Sequence, residues 1–276
     1  MSVLARDFER DGFALVPRAF EPHALAALRA AALEIVDEFD IDAHQSVFRT
    51  DDRDAGRDDY FFDSATRASC FLEAGALNED GELVKPKTLA INKIGHGIHD
   101  VHNSFADFCR EPAIADNLAA IGWHDCVVQQ TMYIFKQPGI GGEVRWHQDA
   151  TYLIAEPPGV IGLWIALEDA TRDNGCLWMQ PGQHRSPLRE RYAINAATGV
   201  PTLETLDTTP WDSGNAVPVE VEAGTLVLFA DTMPHYSATN TSDRSRHAAT
   251  IHVRQQRSDW SELNWLQRGN TPDITL

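Results

Sequence analysis

Two histidines and one aspartate carry the strongest chemical signal in this chain. His147 and Asp149 flank Gln148, and His235 follows 86 residues after the aspartate. Two imidazoles and a carboxylate on one side of a metal leave the opposite side open. Non-haem Fe(II) chemistry uses that arrangement to admit a cosubstrate and then O₂. The His-x-Asp spacing suits a strand, because residues i and i+2 point the same way and can share one ion. Chance produces a bare His-x-Asp often, so the segment after His235 decides how it is read.

That segment runs Ala238-Thr239-Asn240-Thr241-Ser242-Asp243 and then Arg244-Ser245-Arg246. Its turn-formers predict that the chain leaves one strand here and returns on a neighbour. Arg246 then falls beside the strand carrying His235, within reach of the open side of the metal. A guanidinium grips a carboxylate with two parallel hydrogen bonds, which lysine cannot reproduce. The far carboxylate of 2-oxoglutarate, whose keto-acid end chelates iron, suits such a grip. Alone, Arg246 reads as one of several solvated arginines; coupled to His235 at this spacing, the ligand role is favoured.

The elements that must position these residues are legible in outline. Residues 3–10 read as a short helix ending near Gly12, and 13–16 as a strand. Leu25, Leu28, Ala32, Ile35 and Phe39 recur at three to four residues, predicting an amphipathic helix over 21–39. Residues 41–68 are polar enough to be mostly loop, the kind of long segment that serves as a lid. From residue 89 short apolar runs alternate with Gly, Pro, Asn and Asp. Strands are expected at 89–95, 126–136, 144–152, 160–167, 176–180, 217–221, 225–230 and 248–255, with helix over 100–121 and a tight hairpin at Asn174-Gly175. Many short strands with turn signals suggest a mainly β fold with flanking helices, a sandwich or barrel. A double-stranded β-helix, or jelly-roll, with N-terminal helices packed on its major sheet accommodates them, and is the fold implied by the family resemblance given below. One domain over 1–276 is expected, with helices and lid in 1–88, the jelly-roll core in 89–256 and a tail in 257–276. In that fold His147-x-Asp149 opens one core strand and His235 begins another.

These motifs resemble the phytanoyl-CoA dioxygenase family of Fe(II)/2-oxoglutarate oxygenases, and within it the branch called phytanoyl-CoA dioxygenase domain-containing protein 1. The resemblance rests on Ile91–His96, Met132–Pro138, Gly141–Val144, His147–Ala150, Trp164–Ala166, Glu168–Thr171, Asn174–Trp178 and Ser242–Arg246, and it covers nearly the whole chain. It implies that His147, Asp149 and His235 bind Fe(II), and that Arg246 and Ser237 hold the far carboxylate of 2-oxoglutarate. It also implies cosubstrate positions at Lys93 as a second cation, at Met132 and Trp164 as apolar walls, and at Gln148 between the ligands. The activity implied is a dioxygenase using O₂ and 2-oxoglutarate to hydroxylate a C–H bond of a small molecule, releasing succinate and CO₂. Two other classes stay open: a catalytically silent 2-oxoglutarate-binding module, and a hydrolase using the same triad to activate water.

Composition narrows the partners. A net charge of −18 argues against nucleic acid, since phosphate contacts need a basic surface. No window approaches the apolar length of a membrane span and the N-terminus lacks a signal-peptide core, so a cytoplasmic monomer or homodimer is expected. Cys70, Cys109, Cys126 and Cys176 are scattered without a Cys-x-x-Cys pair and read as buried, reduced thiols. His96, Arg145 and Tyr152 are candidate substrate contacts. Specificity is expected from residues 41–75, 136–145 and 185–215, which show no basic cluster suited to coenzyme A. A small free organic molecule is therefore expected, an acid being plausible with Arg145, Lys136, Arg49, Arg53 or Arg57 as its partner. His184 and His252 read as structural histidines, and Trp260, Trp265 and Leu266 as an aromatic patch sealing the outside of the barrel or forming a dimer contact.

Overall fold

The computed structural model describes residues 1–48, 58–157 and 159–276. Helix α1 (Val3–Asp11) starts at Ser2, whose Oγ accepts from the Ala5 N–H at 3.0 Å, and stops at Gly12, which takes the left-handed conformation at φ 83°. Helix α2 (Pro22–Glu38) has proline in its first turn, where no N–H is needed, and buries Leu25, Leu28, Ala31, Ala32 and Val36. The stretch expected to be loop contains α3 (Asp59–Asp63), capped by the Asp58 side chain on the Phe61 N–H at 2.9 Å. The helix expected over 100–121 is instead three: α4 (Ile98–Val101), α5 (Asn103–Cys109) and α6 (Pro112–Ala120). Pro112 cannot continue a preceding helix but suits the first turn of a new one.

The strands, in chain order, are β1 (Phe13–Val16), β2 (Ala68–Leu72), β3 (Ile91–His96), β4 (Cys126–Ile134), β5 (Val144–His147), β6 (Ala155–Glu156), β7 (Val160–Ala166), β8 (Leu177–Met179), β9 (Glu190–Ile194), β10 (Pro201–Thr205), β11 (Val217–Val219), β12 (Leu226–Ala230), β13 (His235–Ser237), β14 (Ala248–Gln255) and β15 (Asp259–Trp260). They form a seven-stranded sheet in the order β1-β12-β7-β14-β4-β3-β2 and a four-stranded sheet in the order β11-β8-β13-β5, with two small pairs, β9-β10 and β6-β15. The fold is a jelly-roll of antiparallel strands.

Alternation along the central strands separates two apolar layers. Ile161, Leu163 and Ile165 of β7, Leu226 and Leu228 of β12, and Ala249, Ile251 and Val253 of β14 share one core with α2 and α5. Their neighbours Trp164, Ala166, Val227, Phe229 and Ala248 face the other way and pack with Leu177 and Met179 of the small sheet. This explains why β7 reads as an unbroken apolar run: all seven of its residues are buried.

Three expectations need correction. The strand expected over 144–152 ends at His147, and Asp149–Thr151 form a single 3₁₀ turn. Asn174-Gly175 makes no two-residue hairpin; it closes a wider turn in which the Cys176 N–H reaches the Thr171 carbonyl at 2.8 Å. The C-terminal aromatics do not seal the outside. Trp265 and Leu266 are buried against Phe61 of α3, Phe71 of β2 and Tyr192 of β9. Strands β2, β6, β9, β10 and β15 fall outside the expected ranges; β9 and β10 are amphipathic only weakly, with Glu190, Arg191 and Glu204 among few apolar residues. All four cysteines are free and buried, as expected. Among the described residues no helix is long and apolar enough to cross a membrane.

One glycine in this frame has a packing role. Gly162 pairs with both Phe229 of β12 and His252 of β14, and a Cβ there would lie 2.5 Å from the Phe229 ring. That ring in turn lies 4.9 Å, centroid to centroid, from His235. Gly162→Val is therefore expected to cost about 1–3 kcal/mol by overpacking and to disturb His235. Thermal unfolding and Fe(II) affinity should fall together; a variant with unchanged values for both would refute this packing role.

Candidate metal centre and its cavity

Antiparallel pairing of β13 with β5 sets His235 directly opposite His147, with ring centroids 4.1 Å apart. Gln148 is still extended at φ −118° and ψ 136°, so Asp149 returns to the side of His147 although the strand has ended. Asp149 Oδ1 lies 3.6 Å from His147 Nε2 and 3.7 Å from His235 Nε2. One donor atom from each residue falls within 4.8 Å of the other two, a group able to hold one metal ion.

The second nitrogen of each imidazole is already committed. His147 Nδ1 lies 2.8 Å from the Arg145 carbonyl, and His235 Nδ1 lies 3.0 Å from the Met233 carbonyl. A carbonyl only accepts, so Nδ1 carries the proton on both rings and each Nε2 keeps a lone pair for a metal. Burial, then the neighbouring His147, pushes the His235 imidazole down to about 4, keeping it neutral. Burial pushes the Asp149 carboxyl up, but His235 and His252 outweigh it and hold the group well below the usual carboxylate range. The donor set is thus an Nε2 from each of two imidazoles and a carboxylate oxygen.

His252, read from sequence as a structural histidine, proves to be part of the centre. It projects from β14 of the large sheet, and its Nε2 lies 2.9 Å from Asp149 Oδ2, the oxygen turned away from the other two ligands. This bond ties the aspartate, carried by the small sheet's edge, to the opposite wall. An outer hydrogen bond of this type fixes a ligand's orientation and basicity. His252→Phe should weaken Fe(II) or Co(II) binding by about 10- to 100-fold, measured by metal titration under anaerobic conditions. His252→Gln, which can still donate, should recover part of the loss.

Two of the three ligands, His147 and Asp149, line a cavity of about 440 Å³. Its walls include Lys93, His96, Met132, Arg145 and Tyr152, all singled out from sequence, together with Phe48, Phe61, Trp211 and Trp265. His96 Nδ1 lies 2.7 Å from Ser64 Oγ, and the Lys93 ammonium sits 3.5 Å from the centre of the Phe48 ring. Arg49, Arg53 and Arg57 lie outside the described residues.

Beyond the metal ligands, the interior face continues into a buried polar corner. Ser237 is two residues after His235 on β13 and faces the same way. Its Oγ donates to the Gly175 carbonyl at 2.9 Å, and Arg246 Nε donates to that carbonyl at 3.1 Å. The Arg246 guanidinium lies 5.3 Å from the centre of the Trp164 ring. It is 2% exposed, and its Nη1 has no hydrogen-bond partner. Burial lowers its pKa to about 10, still high enough to keep the charge.

Gln148 is placed elsewhere. Alternation turns it from the cavity, where its Nε2 donates to the Thr232 carbonyl at 2.9 Å and its Oε1 accepts from the Arg189 N–H at 3.0 Å. It braces the 189 segment and faces neither metal nor cosubstrate corner, because adjacent residues in extended chain point to opposite sides. Lys136, expected at the cavity mouth, is instead 2% exposed and turned into the corner beside Arg246.

Comparison with known proteins agrees with this geometry. The phytanoyl-CoA dioxygenase family model matches residues 8–248. A phytanoyl-CoA dioxygenase domain-containing protein 1 homolog from Caenorhabditis briggsae is 40% identical over 275 residues, covering 97% of this chain and 96% of its own. The chain belongs to the phytanoyl-CoA dioxygenase family. A phytanoyl-CoA dioxygenase of Arabidopsis thaliana is 37% identical over 269 residues, covering 96% of this chain and 93% of its own. Among solved structures, the epimerase SnoN in complex with Fe³⁺, alpha ketoglutarate and nogalamycin RO superposes with a TM-score of 0.62 at 17% identity, covering 93% of this chain and 84% of its own. At that identity the match speaks for the fold.

Proposed function

We propose that this family member is an Fe(II)/2-oxoglutarate-dependent dioxygenase that hydroxylates a C–H bond of a small organic molecule. The observation that carries the reading is a pairing of two features on one interior face. His147 and Asp149 of the His147–Asp149–His235 donor set line a cavity, and a buried arginine with no carboxylate partner among the described residues lies farther along the same face. A guanidinium withdrawn from water with an N–H unmatched is costly, and a bound carboxylate removes that cost. The far carboxylate of 2-oxoglutarate has the charge and planarity for Arg246, with Ser237 as a second donor.

The residues present fit both groups. His147, Asp149 and His235 would hold Fe(II), with Lys93, Met132 and Trp164 lining the cosubstrate's place. When bound, iron with 2-oxoglutarate and O₂ supplies the oxidant, at the expense of converting 2-oxoglutarate to succinate and CO₂. SnoN carries Fe³⁺ and alpha ketoglutarate on this fold, which supports the reading. The chain's own part is orientation and exclusion of water. The imidazoles present lone pairs, His252 holds the carboxylate's angle, and the aromatic walls keep the reacting C–H bond dry. His96, Arg145 and Tyr152 line the cavity and are the proposed substrate contacts. A cavity of about 440 Å³ suits a small free molecule better than a coenzyme A thioester.

His147→Ala is expected to abolish Fe(II)-dependent succinate formation. Arg246→Ala should weaken the response to 2-oxoglutarate by about 30- to 5,000-fold with Fe(II) affinity retained. Arg244 is exposed, so its alanine variant should behave like the parent. O₂ uptake and succinate release decide the class. Substrate conversion without O₂ would point to hydrolysis, and 2-oxoglutarate binding without succinate to a silent module.

A further inference from the structure

We infer that Lys136 is a cosubstrate-binding residue, a second buried cation that shares the far carboxylate of 2-oxoglutarate with Arg246. The inference rests on the reading above and deepens it.

Register places the two cations side by side. Across β14 and β4 the interior-facing partners are His252 with Gln130, Thr250 with Met132, and Ala248 with Ile134. Two residues farther, past the end of both strands, the Arg246 N–H reaches the Lys136 carbonyl at 3.3 Å. Lys136 thus continues the line Gln130, Met132, Ile134, of which Gln130 and Met132 already line the cavity. Arg246 continues the matching line on β14.

The side chain converges on the same corner. A Cβ built on Gly175 would lie 2.6 Å from Lys136 Cε and 3.4 Å from Ser237 Oγ. The carbonyl of that same glycine is the one that accepts from Arg246 Nε and Ser237 Oγ. Gly175 has φ +85°, so the absence of a side chain both allows its backbone and leaves room for the lysine stem. Lys136 itself adopts φ +40°, a conformation few non-glycine residues take, and so enters the interior from the end of β4.

The ammonium is held but not neutralised. Lys136 Nζ donates to the Gly142 carbonyl, whose own residue sits against the Glu73 carboxylate. Glu73 accepts from Asn92 Nδ2 at 2.8 Å, and Glu143 accepts from the Tyr236 hydroxyl at 2.7 Å. Among the described residues no ion pair joins a carboxylate to Lys136 or Arg246 directly, although Glu73 and Glu143 lie near enough to attract the lysine. Burial, then Arg246, pushes the lysine down to about 7, outweighing the attraction of Glu73 and Glu143. Two adjacent buried cations repel, and one shared dianionic ligand resolves both. A lysine that merely latched the 137–142 turn would need neither burial beside Arg246 nor contact with Gly175.

The test is anaerobic calorimetric titration of the Fe(II)-loaded protein with 2-oxoglutarate and with 2-oxobutyrate, a keto acid lacking the far carboxylate. Lys136→Met, which keeps the stem and removes the charge, should weaken 2-oxoglutarate binding at least about 30-fold and leave 2-oxobutyrate within twofold. Lys136→Gln serves as the second variant, with the same expectation. Equal loss of both ligands, unchanged 2-oxoglutarate affinity, or failure of both variants to fold would each overturn the inference and assign Lys136 a structural role, leaving the dioxygenase reading intact. A parent protein that binds Fe(II) but not 2-oxoglutarate would overturn that reading, and this inference with it.

Discussion

The register of β14 is the constraint on which the site depends. Its even-numbered residues from 246 to 252 face the interior, and its odd-numbered residues Ala249, Ile251 and Val253 complete the core against the helices. A slip of one residue would bury Arg246 and His252 among Leu28, Phe108 and Ile165 and expose apolar groups to the cavity. The pairing of β14 with both β4 and β7, over eight and seven residues, forbids that slip. One strand thereby supplies the bond that steers Asp149 and, just before it, the arginine of the polar corner.

The two sheets divide the work at the metal centre. All three ligands come from the small sheet or the turn that extends it, while the His252 bond and the Phe229 ring come from the large one. Cross-strand pairing fixes the distance between the histidines, and contact between sheets fixes the aspartate's angle. Such a site is held by packing and hydrogen bonds on rigid strands, so little reorganisation accompanies ligand binding.

Much of this was legible before the fold was known. The triad and Arg246 were read from residue type and spacing, because turn chemistry after His235 implies a return strand. Alternation along the strands marks further residues. His252 and Lys136 have the same parity as Arg246 and Met132 on their strands, which marks both as inward-facing; the apolar neighbours of His252 suggested only a buried, satisfied side chain. The same rule, applied to Gln148, places it opposite His147 and Asp149. The role of Trp265 left no local trace, since nothing within the tail says that it folds back over β2 and α3. The three-way division of residues 98–120 was signalled by Pro112 but outweighed by the surrounding helix-formers.

The tail has a consequence of a different order. Trp265 closes one wall of the cavity, Arg268 locks to Asp100 through two hydrogen bonds at 3.0 and 2.6 Å, and residues 274–276 hydrogen-bond to the start of β4. These residues follow every barrel strand in the chain. The strands that carry the metal ligands therefore precede, in the chain, the residue that walls the cavity beside them. The cavity thus depends on a segment outside the barrel: His147, Asp149 and His235 sit on paired strands and the turn beside them, whereas one wall of the space they serve is supplied by residue 265.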